Sequence, residues 1–171
     1  MVDTVYTIGY SGFSIKGFID ILHKHDIKLI VDVRSRPYSA YFTDYDKENL
    51  DRTLKKENIY YRNYAKEFGA RQEQREYYPH GYLDFELFSE SESFKKGIKK
   101  LVDSIKQDYR FALMCAEKDP FNCHRAILVA RKFHDMKYAV KHLVPDAEPI
   151  TQEDIESRLL KKYCPDFSPD A

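Results

Sequence analysis

Short apolar runs and amphipathic stretches alternate along the chain, and their periods separate strands from helices. Thr4-Val5-Tyr6-Thr7-Ile8 is β-branched and aromatic and stops at Gly9, which predicts a first strand. Ser14 then precedes Ile15, Phe18, Ile19 and Leu22, the i, i+3, i+4, i+7 spacing of a capped amphipathic helix. Lys28-Leu29-Ile30-Val31-Asp32-Val33 reads as a strand buried on both faces and ended by Arg34. A weaker helix over Asp46 to Glu57, carrying Leu50 and Leu54, leads to a third strand at Ile59-Tyr60-Tyr61. Phe94, Ile98, Leu101, Val102 and Ile105 mark a strong helix, followed by the buried strand Phe111-Ala112-Leu113-Met114-Cys115. Asn122 is placed to cap a helix carrying Ile127, Ala130 and Phe133, and Ala139-Val140-Lys141-His142-Leu143 reads as the last strand. Thr151-Gln152-Glu153-Asp154 has the form of a capping box, with Asp in the place of Glu, opening a helix through Ile155, Leu159 and Leu160.

Strands alternating with helices of these lengths imply parallel pairing and right-handed crossovers. The expectation is a single three-layer α/β domain over residues 1–164, with a mainly parallel sheet of about five strands and helices on both faces. Residues 165–171 read as a fraying tail. Asn63 to Ser93 fits neither period. Such a long irregular segment is either partly helical with ordinary solvated charge, over Arg71 to Tyr77, or a lid or substrate loop. Arg71, Arg75 and His80 crowd into it with Tyr77, Tyr78 and Tyr82.

Composition narrows the classes. A chain of 171 residues fits one domain and buries enough surface to need no disulfide or metal staple. Lys and Arg number 28 and Asp and Glu also 28, so no global basic field exists to wrap nucleic acid. A local basic pocket is compatible with that balance. No run approaches the ~20 apolar residues of a membrane span, and Met1-Val2-Asp3-Thr4-Val5 lacks a basic, then apolar leader. Three cysteines are odd in number and few, which fits a reducing, cytoplasmic setting better than a disulfide framework.

Open parallel sheets bind ligands outside the carboxyl ends of their strands. Polar residues gather there. Gly9-Tyr10-Ser11-Gly12 follows the first strand, and its N–H groups either face an anion or simply make a tight turn. Asp32-Val33-Arg34-Ser35-Arg36-Pro37 sets two guanidinium groups at a strand end, suited to a phosphate or carboxylate. The plain alternative is an Asp32–Arg34 or Asp32–Arg36 ion pair bracing the loop. The densest cluster is Cys115, Glu117, Asp119, Cys123, His124 and Arg125. With Asn122 as cap, Cys123, His124 and Arg125 fall in a first helical turn, where the dipole and free N–H groups lower a thiol pKa. Glu117 then suits a general acid or base, and Cys115 or Cys123 a nucleophile or redox pair. The Cys115-to-Arg125 span is too long for a thiol phosphatase loop. The spacing of Cys115, Cys123 and His124 lacks the short paired pattern of a structural zinc site, so no metal and no cofactor are expected. Cys115 inside an apolar strand also fits an inert packing residue.

Thr7-Ile8-Gly9-Tyr10-Ser11, Val31-Asp32-Val33-Arg34 with Pro37 and Ser39, and Cys115-Ala116-Glu117 with Cys123-His124-Arg125 resemble, in that order, the signatures of the domain of unknown function 488 family. Val140-Lys141-His142-Leu143 is similar to a hydrophobic-His strand near that family's end, so the likeness spans Thr4 to Leu143. One departure is in the middle loop, where the family often shows Gly-Gly before an arginine and this chain has Gly69-Ala70 before Arg71. The resemblance implies a small cytoplasmic α/β domain with a polar site and names no reaction.

The leading expectation is an enzyme binding a phosphorylated ligand, a nucleotide or nucleic-acid end. In it Arg34, Arg36 and Arg125 hold the anion, Glu117 is the acid or base, Asp32 the orienter or second carboxylate, and Cys123 the nucleophile. Tyr10, Ser11, Arg71, Cys115 and His124 shape the pocket. The competing readings are a non-catalytic nucleic-acid-binding module or regulator and a thiol or redox protein built on Cys115 and Cys123. No membrane partner is expected, and the oligomeric state is open.

Overall fold

Alternate residues along each strand divide between two apolar clusters, and this division builds the layers. In the computed structural model, which describes residues 3–164, Val5, Val31, Leu113 and Val140 face one side of a sheet. Tyr6, Ile8, Ile30, Ala112 and Met114 face the other. The strands are β1 (Thr4–Gly9), β2 (Leu29–Asp32), β3 (Tyr60–Asn63), β4 (Phe111–Cys115) and β5 (Ala139–Leu143), all parallel where they pair. A two-residue β6 (Ile150–Thr151) adds antiparallel to β5, giving a six-stranded sheet in the order β3-β2-β4-β1-β5-β6. Two residues carry no period, which is why the sequence predicts about five strands rather than six. The tail at 165–171 lies outside the described residues.

One face is covered by α1 (Ile15–Lys24) and α2 (Lys47–Lys56) through Phe18, Ile19, Leu22, Leu50 and Leu54. Ser14 caps α1 by accepting from Gly17 N at 3.0 Å, and each buried large side chain contributes about 1.5–3 kcal/mol. The other face carries α5 (Glu92–Lys106), α6 (Arg131–Asp135) and the helical turn before α6. The capping box is formed as expected: Thr151 Oγ1 accepts from Asp154 N and Asp154 accepts from Thr151 N, opening α7 (Gln152–Tyr163). Among the described residues, no helix is long and apolar enough to cross a membrane.

The segment without a period, 63–93, is not a bare loop. It holds α3 (Ala65–Phe68), a 3-10 turn at Arg75–Tyr77 and α4 (Phe85–Ser89), pieces too short for a helical repeat to register. Aromatic contacts dock these pieces on α5. Phe68 and Phe88 meet Phe94 with ring centroids 5.2 and 5.6 Å away, and Tyr77 meets Phe88 at 5.4 Å. Offset and edge-on pairs of this kind add about 0.5–1.5 kcal/mol each beyond their burial.

One buried polar residue interrupts the core-facing positions of β5. His142 is fully buried, with Nδ1 2.6 Å from Thr7 Oγ1 and Nε2 2.8 Å from Gln152 Oε1. Burial, together with the charge of Arg125, outweighs the Gln152 bond and lowers its pKa from 6.5 to about 4. The unfolded chain therefore binds a proton that the native chain refuses, and stability falls as pH drops from about 6.5 towards 4. Of the loss, about 2 kcal/mol is expected by pH 5. Urea midpoints at pH 6.5 and 5 read it, and equal midpoints would contradict it.

Candidate functional site

The carboxyl ends of three adjacent strands, β2, β4 and β1, meet at one edge, and backbone bonds tie their loops together. Tyr10 N donates to Cys115 O and Ser11 N to Ala116 O, each at 3.0 Å. The turn after β1 therefore spends its N–H groups on the loop after β4, and the expectation that they face an anion is not met. Gly9 makes the contact between the loops. A Cβ there would lie 1.6 Å from Glu117 O and 2.9 Å from Arg125 Nη1, so any other residue would push the β4 loop away.

After β2, Asp32 and Arg34 form the brace that sequence offered as the plain alternative. Asp32 Oδ1 accepts from Arg34 N at 3.0 Å and Nε at 2.9 Å, while Oδ2 accepts from Arg34 Nη2 at 2.7 Å and from the Tyr61 hydroxyl. Asp32 is enclosed and both its oxygens are engaged by Arg34 and Tyr61. Arg34 also donates from Nη2 to Tyr45 O at 2.7 Å, and its guanidinium lies 5.2 Å from the Tyr10 ring, itself stacked on Tyr45. Burial works against the Arg34 charge, but the Asp32 bonds and charge hold it fully protonated. Arg34 Nη1 is buried and has no partner among the described residues.

The third loop departs from its expectation at Asn122. Residues Pro120–Asn122 form a 3-10 turn whose cap is Asp119, accepting from Phe121 N at 3.0 Å. Asn122 therefore ends a turn instead of capping a helix. Cys123 is extended, with φ −120° and ψ 134°, and stands in the capping place. Its carbonyl accepts from Ala126 N and Ile127 N at 3.1 Å, and its Sγ accepts from Arg125 N at 3.4 Å. The helix that follows is a π-helix over Arg125–Ala130, a rare wide-turn form frequent at functional sites.

These turns gather two sulfurs around a buried cation. Arg125 is fully buried, with Nη1 2.8 Å from Cys115 Sγ and 2.6 Å from Glu117 O, and Nε 3.1 Å from Thr7 Oγ1. Glu117 Oε2 lies 3.4 Å from Cys123 Sγ. His124 Nε2 sits 3.2 Å from Val33 O. Burial raises the Cys123 pKa, but hydrogen bonds from Cys115 and His124 and the charge of Arg125 overcome it and bring the thiol down to about 5. Burial and the bond it gives to Cys123 push Cys115 the other way, so the pair shares its charge unequally and Cys123 is the sulfur favoured as thiolate. Burial disfavours charge on His124, yet its bond to Cys123 and the thiolate's charge raise it towards imidazolium. Glu117 ends below its usual value despite burial, through bonds from the Cys115 thiol and its own backbone and the charge of His124.

A cavity of about 320 Å³ opens on this edge. Tyr10, Arg34, Arg36, Arg71, Cys115, Glu117 and His124 line it, with Ser35, Tyr38, Ser39, Ala70 and Ala116 between them. Asp32, Cys123 and Arg125 stand behind lining residues and hold them, while Ser11 is not in the lining. Of the segment 63–93 only Ala70 and Arg71 reach the cavity, pinned by the bond from Arg71 N to Ser35 Oγ at 2.9 Å. Arg75, His80, Tyr77, Tyr78 and Tyr82 do not. Sequence reasoning missed Thr7, Tyr45, Tyr61 and Gln152 as supports. The available signal was a polar residue inside an apolar strand, which Thr7 is.

Cys115, Glu117 and Cys123 offer a sulfur or oxygen atom each within 4.8 Å of one another, a set able to hold a metal ion. Arg125, in contact with Cys115, already supplies the positive charge a thiolate metal site draws from its ion. We expect elemental analysis of the purified chain to find no stoichiometric zinc; about one zinc per chain would reverse this. We also expect the iodoacetamide rate at Cys123 to rise through pH 5 and be flat above pH 6.5, followed by peptide mass spectrometry. A rate still climbing through ~8.5, as for an ordinary thiol, would contradict the thiolate.

No curated protein and no solved structure matches the chain. A family profile described as Domain of unknown function DUF488 matches residues 14–131. That span covers well over half of the chain and takes in Asp32, Arg34, Cys115, Glu117, Cys123, His124 and Arg125. With the order of its three motifs and the edge on which they meet, the chain belongs to the DUF488 family.

Proposed function

We propose that the chain is an enzyme acting on a phosphorylated ligand, a nucleotide or nucleic-acid end, with Cys123 as its nucleophile. One observation carries this reading: three arginines line the cavity that also opens on Cys115, Glu117 and His124, and one of them, Arg34, keeps a buried donor with no partner among the described residues. A buried guanidinium N–H without an acceptor is costly, and an anionic oxygen in the cavity relieves it. Arg36 and Arg71 are exposed at the same wall and add bidentate donors. Tyr38 in the lining is 57% exposed and its neighbour Tyr41 91%, faces on which a base can stack at the mouth.

In the reaction, the exposed Glu117 side chain swings off Cys123 Sγ and opens it to the cavity. The sulfur forms a bond to the electrophilic atom of the ligand while the leaving group departs with the electrons of the broken bond. His124 gives that group a proton. Water then displaces the sulfur and gives its proton to Glu117, whose carboxylate is already the stable form. The thiols this requires fit a reducing, cytoplasmic setting.

A second reading is favoured by the sulfur pair itself. Two cysteines, one favoured as thiolate and one as thiol, with Sγ atoms within 4.8 Å suit a redox protein in which hydrogen peroxide takes two electrons and, with one proton from solvent, leaves a Cys115–Cys123 disulfide and two waters.

Calorimetry with inorganic phosphate, nucleoside monophosphates and 5′-phosphorylated oligonucleotides tests the first. Arg36→Ala and Arg71→Ala are each expected to weaken binding about tenfold with stability held. Cys123→Ser should bind and not turn over. If no phosphate-bearing compound binds and peroxide yields the disulfide, the redox reading stands instead. Arginine-dependent binding without turnover by any variant, wild type included, would leave a binding module.

A further inference from the structure

We infer that Thr7, His142 and Gln152 are positioning residues for the thiolate centre, fixing Arg125 against Cys115 through one directed chain of buried hydrogen bonds. The inference rests on the reading that the Cys123 thiolate is the reactive group. All three residues fall outside the matched span 14–131, on β1, β5 and α7.

The direction of the chain follows from what each atom is able to do. Gln152 Nε2 lies 3.3 Å from Ala126 O, and a carbonyl only accepts, so this is the amide nitrogen. Gln152 Oε1 therefore faces His142, and Nε2 of the imidazole must carry the proton it donates across 2.8 Å. Nδ1 is left as acceptor and takes the Thr7 hydroxyl proton across 2.6 Å. With its proton committed, Thr7 Oγ1 accepts from Arg125 Nε at 3.1 Å. Arg125 then points Nη1 at Cys115 Sγ and Glu117 O. Every member is buried: Thr7, His142 and Arg125 at 0% exposure and Gln152 at 1%. In that setting a partner lost is not replaced by water.

The chain works only while His142 is neutral, because an imidazolium would carry a proton on Nδ1 and oppose the Thr7 hydroxyl. Burial and Arg125 keep it neutral down to about pH 4. Arg125 has a second reason to need Thr7. Its Nη2 has no partner among the described residues, so Nε and Nη1 alone fix the plane of the guanidinium. Turn that plane, and Cys115 loses its donor and Cys123 a compensating charge. A structural role would show only in stability. A positioning role also shows in the ionisation of a cysteine on another element.

The test is the pH profile of Cys123 alkylation in the full chain, without any ligand. The charged and titratable groups facing Cys123 are Cys115 from β4, Glu117 from the loop after it, and His124 and Arg125 from the helix. None of these is altered. Thr7→Val keeps the shape and removes the hydroxyl; it is expected to move the Cys123 midpoint up by about one pH unit. Thr7→Ser restores the hydroxyl and should return the midpoint to the wild-type value. A folded Thr7→Val chain with an unmoved midpoint overturns the inference. Should that variant not fold, ¹⁵N shifts of His142 in the wild-type chain decide. An Nε2-protonated, neutral ring from pH 6 to 8 is expected, and a proton on Nδ1 overturns the chain's direction. A wild-type midpoint near 8.5 would instead remove the thiolate reading itself, a separate failure.

Discussion

A guanidinium with no exposed surface is the constraint on which this edge of the molecule turns. Arg125 is the largest fully buried side chain, and a buried cation costs several kcal/mol unless charge and acceptors surround it. Its acceptors come from three directions: Thr7 from β1, Cys115 from β4 and the Glu117 carbonyl from the loop beyond. That carbonyl reaches Arg125 only because position 9 is glycine. Gly9 is thus less a flexible joint than a gap through which one backbone oxygen reaches a side chain.

The same problem is solved a second time beside it, with different chemistry. Arg34 is matched by a carboxylate in a close two-residue ring, Asp32 to Arg34, and Asp32 is held by Tyr61. Arg125 is matched by sulfur. A carboxylate pair is tight and settled, whereas charge on the Cys123 sulfur is opposed by burial and favoured by Cys115, His124 and Arg125. The two guanidinium groups therefore do different work. Arg34, a lining residue, keeps one donor with no partner among the described residues, and Arg125 stays behind the wall beside the two sulfurs.

Sequence made the sheet legible because both faces are buried, so β2 and β4 read as unbroken apolar runs and their carboxyl ends could be named. The motif residues then had to lie on one edge, and seven of them line one cavity. What it could not supply is which arginine does which task. Asp32-x-Arg34 and a loop of eleven residues ending in Arg125 look alike as sources of positive charge until burial is known. Asn122 illustrates another limit. A cap-competent residue before an amphipathic stretch predicts a helix start, but Asp119 with Pro120 nucleates a 3-10 turn first, and the start passes to Cys123. Cys123 thereby gains the backbone N–H of Arg125 without entering the helix. Thr7 and His142 went unassigned because a single polar residue in a strand has no pattern of its own. Their meaning is pairwise, across β1 and β5.

Charge bookkeeping at the cavity separates the reacting group from the grip on the ligand. Asp32 offsets Arg34, and the Cys123 thiolate and Glu117 carboxylate stand against Arg125 and His124, so the centre is close to neutral. The positive charge left over belongs to Arg36 and Arg71, both exposed and both on loops. Exposed charges are screened within a Debye length of ~8 Å at physiological salt, while the buried pairs are not. Attraction of an anion to this edge should accordingly weaken with salt, but the ionisation of Cys123 should not. On the proposed reading, recognition falls to exposed side chains and chemistry to buried ones. Arg71 reaches its place through Ser35 and the aromatic docking of the 63–93 segment on Phe94. A stretch without any sequence period is therefore what brings the second exposed arginine to the cavity.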